Sequence, residues 1–177
     1  MQKKIVFLPS LLLAFTVLGA CQDKSSRPSP PAQAQCKFSD GKTLTIDYSS
    51  PRMKGRKIYG GLVPYGKVDR TGANEATTFV TDANLNVGGK DVPAASYTIF
   101  TIPNPDKWTL IINKKTGEWG IPYKYEADEL ARVDMKVSAT SAPVENFTIA
   151  LASMGGSCTM TISWENTQAS VDISEKK

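Results

Sequence analysis

From Thr43 onward, apolar residues return at every second position along most of the chain, and this period constrains the fold more than any other feature. Leu44, Ile46 and Tyr48 alternate with Thr45 and Asp47, and Trp108 and Leu110 flank Thr109. The same spacing recurs in Val133, Met135 and Val137, in Phe147, Ile149 and Leu151, in Met160, Ile162 and Trp164, and in Ala169, Val171 and Ile173. Successive side chains of a strand point to opposite faces, so each run predicts a strand with one buried and one wetted face. Turn signals separate the runs: SDG at 39–41, GGK at 88–90, NPD at 104–106, KTG at 115–117 and ENTQ at 165–168. A turn or two of helix is predicted only near 125–130, where Glu126, Asp128 and Glu129 cluster. The pattern implies an all-β chain folded as one antiparallel β-sandwich or jelly-roll-like domain over residues 36–174. No internal repeat points to a propeller or a solenoid.

The N-terminal end sets the expected compartment. Lys3 and Lys4 precede an apolar run from Ile5 to Leu18, which closes in Leu18-Gly19-Ala20-Cys21. This is the layout of a bacterial export signal, and the run is shorter than the roughly 20 apolar residues that span a bilayer. The closing tetrapeptide resembles a lipobox, which implies cleavage after residue 20 and diacylglycerol on the Cys21 sulfur. Several acyl chains hold a protein stably where one does not. Gln22, where an aspartate would retain the protein at the inner membrane, favours outer-membrane anchoring with the domain in the periplasm. Residues 21–35 contain three prolines and no large apolar side chain, so they read as a disordered tether.

The chain carries 21 Lys and Arg against 17 Asp and Glu. Lys3 and Lys4 leave with the leader, so the mature side-chain balance is 19 against 17, or +2. Charge and compartment both argue against nucleic acid as a partner. With no histidine, Ser-His-Asp and Cys-His nucleophile systems and His-ligated zinc are absent. Cys36 and Cys158 are too far apart for a CxxC metal or redox motif, and no metal or cofactor is expected. Both cysteines fall on core-facing positions, Cys36 with Phe38 and Cys158 with Met160 and Ile162. An even pair in an oxidising compartment favours a Cys36–Cys158 disulfide over two inert buried thiols. The glycine-rich GRKIYGG at 55–61 lacks the context of a phosphate-binding loop and reads as loop architecture. Asn146-Phe147-Thr148 fits a glycosylation sequon but falls within an expected strand of an exported bacterial chain.

Five stretches together, SPRMKGRKIYGGLVPYGKV, RTGANEATTF, SYTIFTIP, WTLIINKKTGEWG and ISWENTQASVDI, resemble the bacterial domain of unknown function 2911. The resemblance covers residues 43–173 and implies an exported protein without an assigned activity. It also implies an aromatic residue at the position held here by Asp69, so a stacking role at that position is lost.

The densest polar stretch, YGKVDRTGANEATTF at 65–79, holds the candidate ligand-binding residues Arg70, Asn74 and Glu75. One reading is a site, with the Arg70 fork facing a carboxylate, phosphate or sugar while Asn74 and Glu75 add acceptors and donors. The other is an internal staple, in which Arg70 pairs with Glu75 and Asn74 satisfies loop backbone groups. Trp119 with Tyr123 and Tyr125 is a candidate sugar-stacking platform or, alternatively, a cover for the open end of the sandwich. Arg52, Lys54, Arg56 and Lys57 form a basic run, either a solvated loop or a contact with anionic headgroups. No catalytic constellation is complete. The expected function is a membrane-anchored, non-catalytic binding or envelope accessory module for a small molecule or glycan. The alternative is a glycan hydrolase using carboxylates such as Asp69 and Glu75, or Glu118.

Overall fold

The structure, a computed structural model, describes residues 24–176. The expected leader, residues 1–20, and the expected lipid-bearing Cys21 lie outside the described residues. Nine strands form one sheet: β1 (Pro31–Lys37), β2 (Thr43–Ser49), β3 (Thr78–Thr81), β4 (Leu85–Val87), β5 (Lys90–Val92), β6 (Ala95–Ile102), β7 (Lys107–Asn113), β8 (Glu129–Met154) and β9 (Ser157–Glu175). Their order is β1-β2-β3-β6-β7-β8-β9-β4-β5, and every paired neighbour is antiparallel. The chain therefore meanders, except that the β4–β5 hairpin leaves after β3 and pairs at the far edge beside β9. The helix expected near 125–130 is a single 3-10 turn, Glu126–Asp128.

The sheet folds over itself because β8 and β9, at 26 and 19 residues, are far longer than their neighbours and bend. The distal half of β8 comes back over β1 and the end of β2. There the Tyr48 hydroxyl donates to the Ile149 carbonyl at 3.4 Å and accepts from the Ile149 N–H at 3.1 Å. Ser50 Oγ donates to the Phe147 carbonyl at 2.7 Å, and the Phe147 N–H donates to the Pro51 carbonyl at 2.9 Å. An isolated antiparallel bridge between Arg52 and Asn146 marks the seam, but the sheet does not close into a barrel. The product is the expected all-β sandwich made from one curled sheet.

The alternating apolar residues fill the space between the two layers. Leu44, Ile46, Leu110, Met160 and Ile162 are fully buried. Each such side chain contributes about 1.5–3 kcal/mol relative to exposure. A chain of edge-to-face aromatic contacts, Tyr48–Phe147–Trp164–Tyr59–Trp108, runs through this core. Ile58, Tyr59 and Val63, from the loop between β2 and β3, plug one end, and Glu165 anchors that loop by accepting the N–H groups of Ile58 and Tyr59 at 3.2 and 3.4 Å. Cys36 of β1 and Cys158 of β9 are bonded, with Cα atoms 6.5 Å apart and a sequence separation of 122, so the disulfide ties the two layers together.

Two expectations change. The stretch read as a tether is folded from Lys24, which opens a short 3-10 turn, and β1 begins at Pro31 rather than after residue 35. Low apolar content misleads here because the energy comes from main-chain pairing: residues 31–37 supply the ladder that β2 would otherwise leave open. Proline is compatible with the first residue of an edge strand, and Ala34 and Cys36 give the strand its buried side. Second, ENTQ at 165–168 is no turn but a kink inside β9. Glu165 takes a φ of 55°, the pairing with β8 slips nearby, and the buried parity changes from Cys158–Trp164 to Ala169–Ile173. Opposite the kink β8 carries the surplus: Ala139 to Thr148 faces only Thr167 to Ser163 of β9, so β8 bulges there and the paired strands bend and twist together.

Candidate functional site

The site is built on the outer face of β6 and β7. Both strands break the alternating pattern: Tyr97 to Thr101 and Leu110 to Asn113 are buried on both faces. Their second face carries a small apolar cluster of Ala76, Phe100 and Ile111, with Val68, Ile102, Tyr123 and Tyr125 packed on it. Two loops cover that cluster, residues 65–77 and 114–125. The second is braced from below by buried Asn113, which donates to the Tyr123 hydroxyl at 3.2 Å and to the Tyr125 carbonyl at 2.7 Å. Tyr123 in turn donates to Glu129 at 2.6 Å, and its ring meets Phe100 edge-on at 4.8 Å. Burial and the neighbouring Glu129 carboxylate raise the Tyr123 pKa above the ordinary phenol value. Tyr123 and Tyr125 are thus floor supports rather than an open platform.

The first loop pairs its Asp69 with Thr101 of β6 through two main-chain bonds, at 2.7 and 3.0 Å. Beyond Asp69 the backbone turns twice through the left-handed region, at Thr71 (φ 59°) and Asn74 (φ 59°). For a β-branched residue this is a true outlier, and such strain costs of order 1–3 kcal/mol. Three contacts hold it. Asp69 Oδ2 accepts the Thr71 N–H at 2.8 Å, Thr71 Oγ1 donates to Thr101 Oγ1 at 3.1 Å, and Thr77 Oγ1 donates to the Thr71 carbonyl at 2.6 Å. Asp69 therefore does turn-forming work where the resemblance implied an aromatic. Burial raises its pKa above the ordinary aspartate value, partly offset by the N–H of Thr71 and the charge of Arg70.

These loops leave a cleft of about 480 Å³. Arg70 enters it with Nη1 donating to the Asn74 carbonyl at 2.6 Å, and its guanidinium carbon lies 5.6 Å from the centroid of the Trp119 ring. A cation over an indole face is held by the ring quadrupole. Gly120 permits this approach: at φ 97° it carries no side chain, and a Cβ there would lie 3.2 Å from Arg70 Cβ and 3.0 Å from Ala76 Cβ. Trp119 itself remains 57% exposed, so its outer surface is open. Asn74 donates to the Ser29 carbonyl at 3.0 Å, making the N-terminal segment one wall. Arg56, from the loop after β2, faces the same space and is braced by the carbonyls of Met53 and Arg52 at 2.9 and 2.6 Å.

Of the residues expected to bind a ligand, Arg70, Asn74 and Trp119 meet in this cleft, while Glu75 and Tyr123 do not line it. The staple between Arg70 and Glu75 is not formed. After the left-handed Asn74, Glu75 accepts from Arg27 Nη1 at 3.0 and 2.8 Å and lies 3.6 Å from Lys24 Nζ. The proposed carboxylate pairs are not assembled either. Glu118 accepts from the Tyr125 hydroxyl at 3.3 Å and lies 3.7 Å from Lys115 Nζ, leaving Asp69 as the acidic residue that lines the cleft. Among the described residues there is no group of three or more Cys, Asp or Glu placed to hold a metal ion. Within the basic run, Arg52 is engaged with Ser50 at 3.0 and 2.9 Å and Lys54 and Lys57 are exposed, so Arg56 alone joins the cleft.

The model of the family described as protein of unknown function (DUF2911) matches residues 29–173. The chain belongs to the DUF2911 family. No curated protein and no solved structure matches this chain. The match starts at Ser29, within the stretch expected to be a tether and in agreement with the early start of the fold. Four of the five stretches that carried the DUF2911 resemblance wall the cleft: the first through Arg56 and Leu62, the second through Arg70 and Asn74, the fourth through Trp119 and the fifth through Trp164. The contribution of Ser29 had no sequence signal, because a polar residue in a proline-rich stretch is not distinctive. The doubled burial of β6 and β7 had one: the unbroken apolar runs Ile99-Phe100 and Leu110-Ile111-Ile112 depart from strict alternation.

Proposed function

We propose that this DUF2911 chain is an exported, lipid-anchored envelope protein whose cleft binds a small polar ligand of the glycan class without transforming it. The observation that carries the reading is Arg70, held over Trp119 with one ring face of the indole open. A flat aromatic surface beside guanidinium and amide donors is suited to a sugar ring, whose C–H face stacks while its hydroxyls or acidic substituents take the polar groups. The cleft brings two arginines against one carboxylate, and burial favours the neutral form of that carboxylate, so a ligand bearing negative charge is preferred. A single lining carboxylate favours binding over glycoside hydrolysis, which canonically needs two. The Cys36–Cys158 bond fits an oxidising compartment. Among the described residues no helix is long and apolar enough to cross a membrane, and the proposed attachment is the lipid on Cys21 in the outer membrane, facing the periplasm.

The ligand is tested by thermal shift of the full chain against sugars, sugar acids and peptidoglycan fragments. A ligand present at 100 times its dissociation constant raises stability by about 2.7 kcal/mol. The expected result is a shift with an acidic sugar that Trp119→Ala abolishes while leaving the unliganded melting temperature nearly unchanged. A shift that survives Trp119→Ala overturns the cleft as the site. The anchor is tested by labelling with radioactive palmitate: Cys21→Ser removes the label and releases the protein from membranes, whereas label retained on Cys21→Ser refutes the anchor.

A further inference from the structure

Two independent features, the attachment of the N-terminal segment beside the cleft wall through Ser29 and Asn74 and the composition of the cleft mouth, bear on which surface faces the membrane. The first is covalent reach. Lys24 is already part of the fold, opening a 3-10 turn whose first carbonyl accepts the Arg27 N–H at 3.3 Å, and its ammonium lies 3.6 Å from Glu75. Glu75 directly follows Asn74 of the cleft wall, and Asn74 is bonded to Ser29 at 3.0 Å. Only residues 22 and 23 stand between Cys21 and Lys24, and three residue steps of fully extended chain span at most about 11 Å. The headgroup region of one leaflet is itself roughly 5–8 Å deep. A fold attached at Cys21 consequently has no leash long enough to swing its N-terminal pole away from the bilayer.

The second feature is the composition of the cleft mouth. Leu62 and Trp119 are large apolar side chains left 49% and 57% exposed, and both line the cleft. Arg56 and Arg70 stand beside them, and the Arg70 guanidinium lies over the Trp119 ring. Tryptophan settles at the headgroup level of bilayers, where its ring is half in apolar and half in polar surroundings. Arginine beside it keeps its charged end among phosphates while its stem covers apolar surface. Asp69, the one carboxylate of the cleft, bonds inward to Thr71 rather than contributing to the rim.

We infer that the rim formed by Trp119, Leu62, Arg56 and Arg70 rests in the headgroup layer of the bilayer that carries the Cys21 anchor, so that the cleft opens along the membrane surface. The inference rests on the anchored reading of Cys21. It narrows the ligand as well: a glycan that enters this cleft is presented at headgroup level, on a lipid or on polymer lying against the membrane.

The full-length lipidated protein is reconstituted into vesicles of phosphatidylethanolamine and phosphatidylglycerol that contain a nitroxide-headgroup lipid, and tryptophan emission is compared with that of Trp119→Phe. Trp108 and Trp164 are buried, at 1% and 4% exposure, so the difference reports Trp119. The expected result is loss of most of the Trp119 emission to the nitroxide. Inserting about 20 Gly/Ser residues after Asp23, a flexible coil spanning roughly 25 Å, restores much of it. Palmitate labelling on the same samples separates the two proposals. A labelled protein whose Trp119 emission is unquenched by the nitroxide and quenched by aqueous iodide overturns the apposition and leaves the anchor standing. Emission shielded from both quenchers assigns the rim to a protein partner or a second copy, and also overturns it. Quenching undiminished by the long linker refutes short reach as the cause.

Discussion

Arg27 donates from a single nitrogen, Nη1, to both carboxylate oxygens of Glu75, at 3.0 and 2.8 Å, across 48 positions of sequence. This contact, with the bond from Asn74 to the Ser29 carbonyl, fastens the N-terminal segment to the loop that bears Arg70. The segment before β1 is thereby part of the wall of the cleft, and whatever moves it moves the wall.

Loss of the Arg27–Glu75 contact will loosen the segment more than it lowers global stability. The Arg27 and Glu75 side chains are 28% and 44% exposed, so solvent screens the pair and its worth is at most about 1 kcal/mol. Arg27→Ala is expected to leave the urea midpoint almost unchanged while residues 24–30 become cleavable by protease. Glu75 has a depressed pKa, owing first to its own backbone N–H and then to Arg27. A depressed carboxylate stabilises above its unfolded pKa, so this contribution is present at neutral pH and disappears as pH falls below the ordinary glutamate value of about 4.3. Limited proteolysis across that range checks the sign: cleavage of the segment rises on the acid side in the parent and is high throughout in Arg27→Ala.

Arg70→Ala is expected to be a binding variant before it is a folding variant. Its protein partners are the Asn74 carbonyl, the face of an exposed indole and the neighbouring Asp69, whose carboxyl burial already biases toward the neutral form. A hydrogen bond from a charged donor is worth about 1.5–3 kcal/mol when protected, and partial exposure places this one at or below the lower end. A melting temperature within a few degrees of the parent, with glycan-induced stabilisation gone, is the expected pair of results. A much earlier melt, of the size produced by stranding a buried charge, would contradict the geometry.

Replacing both cysteines, Cys36→Ser with Cys158→Ser, removes a covalent link that closes 122 positions of chain. In the chain-entropy account this costs about 4–5 kcal/mol, chiefly by enlarging the unfolded ensemble. Urea unfolding of the parent with and without reductant will show the same loss, and alkylation of the unreduced, unfolded protein followed by mass spectrometry will find neither Cys36 nor Cys158 modified.

Asp69 sets an opposite pH trend to Glu75. Burial raises its pKa, so the folded state holds a proton that the unfolded state has already released. The resulting stabilisation is complete below the unfolded value of about 3.9 and declines as pH rises through the higher folded value. Asp69→Asn keeps an oxygen to accept the Thr71 N–H at 2.8 Å but cannot titrate. Thermal melts of Asp69→Asn against the parent are expected to converge at acid pH and to favour the variant toward neutral pH. A parent stability that rises through that interval relative to Asp69→Asn would reverse the assignment.

Alternation of apolar residues was enough to define the strands of the main core, because the pleat of a strand is local and repeats every two residues. Leu44, Ile46 and Tyr48, or Met160, Ile162 and Trp164, carry their burial in their spacing, and all are buried. The inward parity of Cys36 and Cys158 was readable for the same reason, and the expectation of export made the bond between them the favoured reading. Whether the two thiols would meet depended on β1 and β9 lying in opposing layers, which no local pattern specifies.

The cleft depended on tertiary structure almost entirely. Arg70 and Glu75 are five residues apart and chemically suited to each other, yet a left-handed Asn74 separates them and an arginine 48 positions away takes the carboxylate. Pairing of the N-terminal segment rested on the open edge of β2, a demand of the backbone that side-chain composition does not record. Local spacing decided which face of each strand is apolar. Contacts between residues distant in sequence decided what covers β6 and β7, and so placed Arg70 against Trp119.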